Sequence, residues 1–406
     1  MYTHEYPPGS AQNIAEGLAD KVFQTRILIP FLGDFLKPCI RILSFLFSWL
    51  VPYPIPFNKE NFKQILSFQF VSVIIVSIPS ALVADYFKVP LAWFLGPMLI
   101  TALAALMGLK VKMPRLVLSS ILIILGLYIG NYIDKELFAQ MDQWIWTSLV
   151  MLLYIITSVL IVSKYLQYFS KYEMKTSIFS AAPGALGPLM ILAEDEKTDL
   201  SQVAISHLIR LIIIVTVFPF IVNSFYEVES IKAVEKVLQN QNISQLLILI
   251  ASSIVLIIFF DKLKVPAALL SGTLVASGIL HITEIASYQI SADIIDYCLL
   301  ILGSSVGCRF ADKSFGEIGR NALHSFVATF LLVVLGLIAA LVASLLIDKN
   351  FFTLLLSYCP GGIYEVAVIA IFFDLDPEFV SFHHIIRLLM ILFIVPVILK
   401  IISKKT

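Results

Sequence analysis

The sequence predicts an all-α polytopic membrane protein made of two inverted-topology repeats, each with about five transmembrane helices and one re-entrant hairpin broken at Pro-Gly. Three observations carry that prediction: the composition, a series of long apolar runs, and one offset that maps one half of the chain onto the other. Apolar residues make up 59% of the 406 and charged residues 14%, against roughly 45–50% and 25% in soluble domains. Polar groups cannot cover such a surface in water, so lipid is the natural solvent. Lys+Arg and Asp+Glu balance at 28 each, which argues against nucleic acid as a partner.

The elements follow in chain order. The N-terminal stretch 1–26 is polar, with Pro-Pro-Gly at 7–9, and does not read as a cleavable signal peptide. Residues 1–63 form an N-terminal extension. Its stretch "IPFLGDFLKPCIRILSFLFSWLVPYPIPF" is apolar but punctuated by Asp34, Lys37, Pro38 and Arg41. It reads as an amphipathic helix lying in the interface, with an eleventh span as the alternative. Runs of roughly 17–25 apolar residues read as transmembrane helices. Uncharged runs occupy 64–84, 89–109, 116–133, 143–163, 242–260, 265–283 and 321–347. Three more, at 200–226, 293–308 and 379–399, carry a few charges, which makes ten spans. The stretches 176–193 and 351–373 are also apolar, but Pro-Gly interrupts each, because Pro lacks an N–H and Gly is permissive. The cysteines, Cys39, Cys298, Cys308 and Cys359, form no CxxC pattern. They read as buried thiols, with no disulfide framework and no metal site.

One constant offset relates the halves: adding 177 to a position in the first gives its counterpart in the second. Pro183 maps onto Pro360, Gly184 onto Gly361, Asp199 onto Asp376, His207 onto His384, Arg210 onto Arg387 and Pro219 onto Pro396. Upstream, Gly126 and Gly130 map onto Gly303 and Gly307. A constant offset over about a hundred residues marks a duplication. Repeat 1 spans 64–226, a linker 227–241, repeat 2 242–401, and a basic cytoplasmic tail 402–406. Positive residues favour the cytoplasm. Lys110, Lys112 and Arg115 precede the first Gly-x-x-x-Gly helix, whereas Arg309, Lys313 and Arg320 follow the second. Equivalent helices therefore run in opposite directions, which five spans and a hairpin per copy allow and six spans do not. Lys164, Lys171, Lys175, Lys262, Lys264 and Lys400 agree; the acidic loop "EDEKTD" at 194–199 falls on the same side and fits less well. The four glycines read as helix-packing positions.

Arg210 and Arg387 lie about ten residues into their helices, near mid-bilayer. An Arg there costs about 3 kcal/mol on insertion scales, and it keeps its proton. It must find anions, carbonyls or water. His207 and His384 stand three residues earlier, on the same helical face. A re-entrant hairpin begins a half-helix at depth, with free N–H groups and the positive end of its dipole. Pro183, Gly184, Pro360, Gly361 and Gly362 let the backbone approach a ligand. Tips and arginines together attract an anion. The alternative is that each Arg ties down its own hairpin through loop carbonyls. Glu365 follows the second tip within reach of Arg387, and a pair there would neutralise that Arg. Its equivalent is Pro188, which leaves Arg210 as the better anion seat. His207 and His384 either relay protons or donate to a neighbouring helix. His383 replaces Ser206, and His324 and His281 lie near span ends.

"VPLAWFLGPMLITALAALMGLKVKMPR", "APGALGP…HLIRL" and "CPGGIYE…HHIIRL" resemble the AbrB family of bacterial inner-membrane proteins, over about residues 70–400. The resemblance implies a duplicated membrane domain, more distantly similar to inverted-repeat cation/proton antiporters and anion transporters. It also implies two labels in use for the family, regulator of gene expression and ammonia monooxygenase. The soluble DNA-binding regulator of the same name is unrelated. Family members carry Pro-Gly-Gly followed by Glu in each half; here the first half has Ala185 and Pro188 instead.

Three functions compete. The first is a secondary transporter of a small, anionic solute, coupled to H+ or Na+, multi-pass in the bacterial inner membrane, with lipid and a second copy of the chain as further partners. The second is a membrane sensor or regulator acting indirectly. The third, an ammonia monooxygenase-like enzyme, needs clustered metal ligands. Six histidines without ligand spacing argue for no catalytic residues, no metal and no cofactor.

Overall fold

The structure, a computed structural model, describes residues 64–65, 67–133, 144–184, 186–225, 243–286 and 292–403. The N-terminal extension, Cys39, the linker 227–241, Ala185, Lys404 and Lys405 lie outside the described residues. From Ser72 onward the described residues belong to one compact unit.

Long apolar runs with few breakers give helices, and among the described residues every regular element is one. The first seven are α1 (Phe68–Tyr86), α2 (Ala92–Leu106), α3 (Arg115–Gly130), α4 (Trp144–Ser170), α5 (Met174–Ala181), α6 (Leu186–Asp195) and α7 (Leu200–Phe225). The second seven are α8 (Ile243–Lys262), α9 (Ala268–Ile282), α10 (Ala292–Cys308), α11 (Phe315–Ser344), α12 (Phe351–Tyr358), α13 (Ile363–Phe372) and α14 (Pro377–Ser403). The rows match element for element, and α12 and α13 have the bounds of α5 and α6 displaced by that same offset.

Among the described residues six helices, α1, α4, α7, α8, α11 and α14, are long and apolar enough to cross a membrane. The chain is therefore an all-α polytopic membrane protein. The other four expected spans are shorter: α2, α3, α9 and α10 have 15, 16, 15 and 17 residues, against ~20 for a full crossing. At α2 and α9 the start of the apolar run goes into a turn. Lys-Val-Pro at 88–90 and 264–266 begins with a left-handed residue and is followed by another, Lys88 and Leu91 in one copy and Lys264 and Ala267 in the other. Such non-glycine conformations cost on the order of 1 kcal/mol each, and both copies keep them. Here the offset is 176, one less than elsewhere.

Pro-Gly breaks both expected segments. After α5, Ala182 is extended and Gly184 has φ 98°. After α12, Cys359 and Gly362 are extended. At 1.5 Å per residue these half-helices are about 12–15 Å long, half of a ~30 Å hydrocarbon core.

The halves interlock by exchange: α2 packs on α10, and α3 on α9. The four helical glycines make this possible. A Cβ on Gly126 would overlap Thr273 Oγ1, one on Gly130 the Ser277 side chain, one on Gly303 the Phe94 carbonyl, and one on Gly307 would lie 2.7 Å from Thr101 Cβ. Equivalent helices α4 and α11 also pack together. Tyr154 Oη donates to Leu332 O at 3.4 Å, Tyr165 Oη meets His324 Nδ1 at 3.2 Å, and Tyr172 Oη donates to Asn321 Oδ1 at 2.9 Å. One numbering rises as the other falls, so the pair is antiparallel. At the Tyr172 end, Lys175 pairs with Glu196 and Lys313 reaches Ser201 at 3.5 Å. At the other end, Thr147 meets His383 Nε2 at 2.7 Å and Phe225 packs on Phe352. The start of α7 thus lies at one end of the bundle and the start of α14 at the other.

Candidate functional site

Breaking a helix in an apolar interior leaves its last carbonyls without partners. Arg210 on α7 donates from Nη1 to Ala182 O at 2.6 Å and from Nη2 to Ser180 O, and His207 donates from Nε2 to Phe179 O at 3.0 Å. Arg387 on α14 donates from Nη1 to Cys359 O and from Nη2 to Gly361 O, the latter at 2.6 Å, and His384 donates from Nε2 to Leu356 O at 3.0 Å. Cationic donors at a helix C-terminus also meet the negative end of its dipole. In both copies the Arg therefore ties its hairpin through carbonyls, as one of the two sequence readings had it. Both histidines act as donors to that hairpin.

Those bonds do not exhaust the arginines. Arg210 is 2% exposed and Arg387 1%, and each keeps a buried Nε with no hydrogen-bond partner among the described residues. Neither has a carboxylate within ion-pair distance there. The tips they hold meet each other: a Cβ on Gly184 would lie 2.6 Å from Arg387 Nη2 and 3.2 Å from Gly361 O. Between the tips is a cavity of about 370 Å³. Of the residues singled out in the sequence, Gly184, His207, Arg210, Pro360, Gly361, Gly362, Glu365 and Arg387 line it. Pro183 is buried in the first tip, and His384 Nδ1 is buried without a partner among the described residues.

The expected Glu365–Arg387 pair does not form. Glu365 Oε1 pairs with Arg309 Nη2 at 3.0 Å. Two causes are visible. The Arg387 guanidinium is turned to the Cys359 and Gly361 carbonyls, and the Glu365 carboxylate folds back against Gly362, where a Cβ would overlap Oε2. Glu365 is 1% exposed and the Arg309 side chain 32%. Arg309 had read only as a loop charge marking topology. Pro266 and Ala267 also line the cavity; sequence reasoning missed them, and the Lys-Val-Pro repeated at 88–90 and 264–266 was the signal that could have found them.

The remaining residues are structural. His383 bridges Thr147 and Phe379 O, at 2.7 and 2.9 Å, and packs on the Phe379 ring. Cys298, Cys308 and Cys359 are free thiols. Among the described residues no group of three or more His, Cys, Asp or Glu could hold a metal ion.

Fold and cavity together define a duplicated helical membrane protein whose two broken hairpins meet at a cationic pocket. The family model "Transition state regulatory protein AbrB" matches residues 93–403, and the chain belongs to the AbrB family. "Uncharacterized protein YhjN" of Bacillus subtilis (strain 168) is 23% identical over 290 residues, 67% of this chain and 75% of that protein. "Putative regulator AbrB" of Escherichia coli (strain K12) is 22% identical over 317 residues, 77% of this chain and 90% of that protein. No solved structure matches the chain significantly.

Proposed function

We propose that this chain is a secondary transporter of a small anionic solute in the bacterial inner membrane, with H+ or Na+ as coupling ion. One observation carries the reading: two buried guanidiniums without carboxylate partners among the described residues line one cavity between two broken helices. Buried charge is costly until it is paired, so such a pocket attracts an anion. The antiparallel pairing of α4 with α11 supports inverted repeats, the architecture in which broken helices meet at a midplane site. Helix ends, arginines, His207, one carboxylate and apolar side chains line the cavity, a lining that favours carriage over catalysis.

The family description and the name of the Escherichia coli relative favour a second reading, a membrane sensor that affects gene expression indirectly. Flux of labelled carboxylates into proteoliposomes separates the two. The transporter accumulates or exchanges anion; a sensor binds it without turnover. Inversion has its own test. Single cysteines at Lys112 and Lys313, in a background without the native four, should label only from the cytoplasmic side. Labelling of either from outside would remove the inverted-repeat support.

A further inference from the structure

Among the described residues, the cavity is lined by three guanidiniums, Arg210, Arg309 and Arg387, and one carboxylate, Glu365. Glu365 matches Arg309 at 3.0 Å. Arg210 and Arg387 bond there only to carbonyls, which are neutral, and a guanidinium cannot shed its proton. At each tip the C-terminus of one half-helix meets the N-terminus of the next, so their dipoles oppose and add little net charge. A surplus of two positive charges remains in a largely apolar pocket, where Leu186, Leu211 and Leu388 form walls.

We propose that the cavity is matched to a divalent anion, a small dicarboxylate or an oxyanion of the same charge. The proposal rests on the anion-transport reading and adds the valence of the solute. A monoanion leaves one guanidinium uncompensated. A dianion compensates both, with the Arg309–Glu365 pair undisturbed. The Nε–H groups of Arg210 and Arg387 are buried and unpartnered among the described residues, so the anion acts on both guanidiniums chiefly through charge. About 370 Å³ gives room for a chain of several carbons between two carboxylates.

The test is calorimetric titration of the full-length protein in detergent at a pH well above the carboxylate range, with succinate, butyrate, sulfate and tricarballylate as probes. Succinate or sulfate should bind at least about tenfold more tightly than butyrate, because close desolvated charge pairs couple by more than the 1.4 kcal/mol that tenfold represents. Whichever dianion binds better names the source. Glu365→Gln raises the surplus to three, so tricarballylate should gain about tenfold relative to succinate. The double variant Arg309→Gln/Glu365→Gln keeps the surplus at two and should keep the dianion preference. These variants leave the carbonyl ties of Arg210 and Arg387 intact, so they read charge and not folding. Butyrate binding as tightly as succinate, or a Glu365→Gln protein with unchanged valence preference, overturns the proposal while the anion reading stands. Absence of binding by every anion overturns both.

Discussion

The two hairpins are one backbone design executed twice, and their tips differ in chemistry. Hairpin α5–α6 and hairpin α12–α13 have identical bounds under the constant offset, and each receives an Arg and a His from the helix that follows. The second tip has Gly362 and Glu365 where the first has Ala185 and Pro188. The structure explains why these two differences occur together. The Glu365 carboxylate occupies the space that a Cβ on residue 362 would need. A carboxylate folded back on the tip favours glycine three residues earlier, because a Cβ there would have to displace it. Half-repeats can thus keep a common scaffold and still divide their chemistry, one tip holding an ion pair and the other none among the described residues.

The largest expected effect comes from breaking that difference. Arg309→Ala leaves Glu365 buried without its cation, which should cost about 3 kcal/mol. Arg309→Gln/Glu365→Gln should recover at least half of the loss. Melting curves of the purified variants decide it. A double variant no better than Arg309→Gln alone would show that the pair is not the source. Overpacking compares the halves elsewhere. Gly130→Leu and Gly307→Leu should each cost about 2 kcal/mol, because each faces a side chain or backbone of the opposite copy. A loss at one site alone would mean that the exchanged contacts are not equivalent.

Gly362→Ala should cost about 1–2 kcal/mol through its clash with Glu365. In a Glu365→Ala background the cost should fall below about 0.5 kcal/mol, since the obstacle is gone. Equal costs in both backgrounds would end the account of the paired differences. The smallest effects concern the hairpin feet, where Tyr172 bonds Asn321 and its equivalent Lys349 pairs with Asp376 at 3.1 Å. Tyr172→Phe should cost about 1 kcal/mol. Lys349→Met should cost less, about 0.5 kcal/mol, because partly exposed pairs are weak. The reverse order would place the stronger foot on the second hairpin.

How much of this was legible in the sequence depends on range. The helix breaks at Pro183 and Pro360 follow from local chemistry, and the expected broken segments, 176–193 and 351–373, fall within two residues of the observed hairpins. The Arg-to-carbonyl ties were open as one of two readings, because a helix of known period places Arg210 and His207 on one face. The partner of Glu365 was not legible. Arg309 lies 56 residues away, and only tertiary closure decides which of several arginines arrives. The short α2, α3 and α9 were hidden too, since hydropathy counts apolar residues in a turn the same as those in a helix. The shift of the offset from 177 to 176 at Lys-Val-Pro was visible, and it marks the turn that shortens α2 and α9.

The carbonyl ties also constrain how the chain is made. Ala182 and Phe179 receive their donors from residues 28 positions later, and Cys359 and Leu356 do the same. Until Arg210 has left the ribosome, the end of α5 presents bare carbonyls that hydrocarbon cannot satisfy. The hairpin must therefore wait in a wet or protein-lined place during synthesis and enter lipid together with α7. Each half completes its own hairpin from the helix that directly follows it, whereas the α2–α10 and α3–α9 contacts need both halves. Insertion is thus local and assembly global, and a ribosome stalled between Ala182 and Arg210 would leave an intermediate that the membrane rejects.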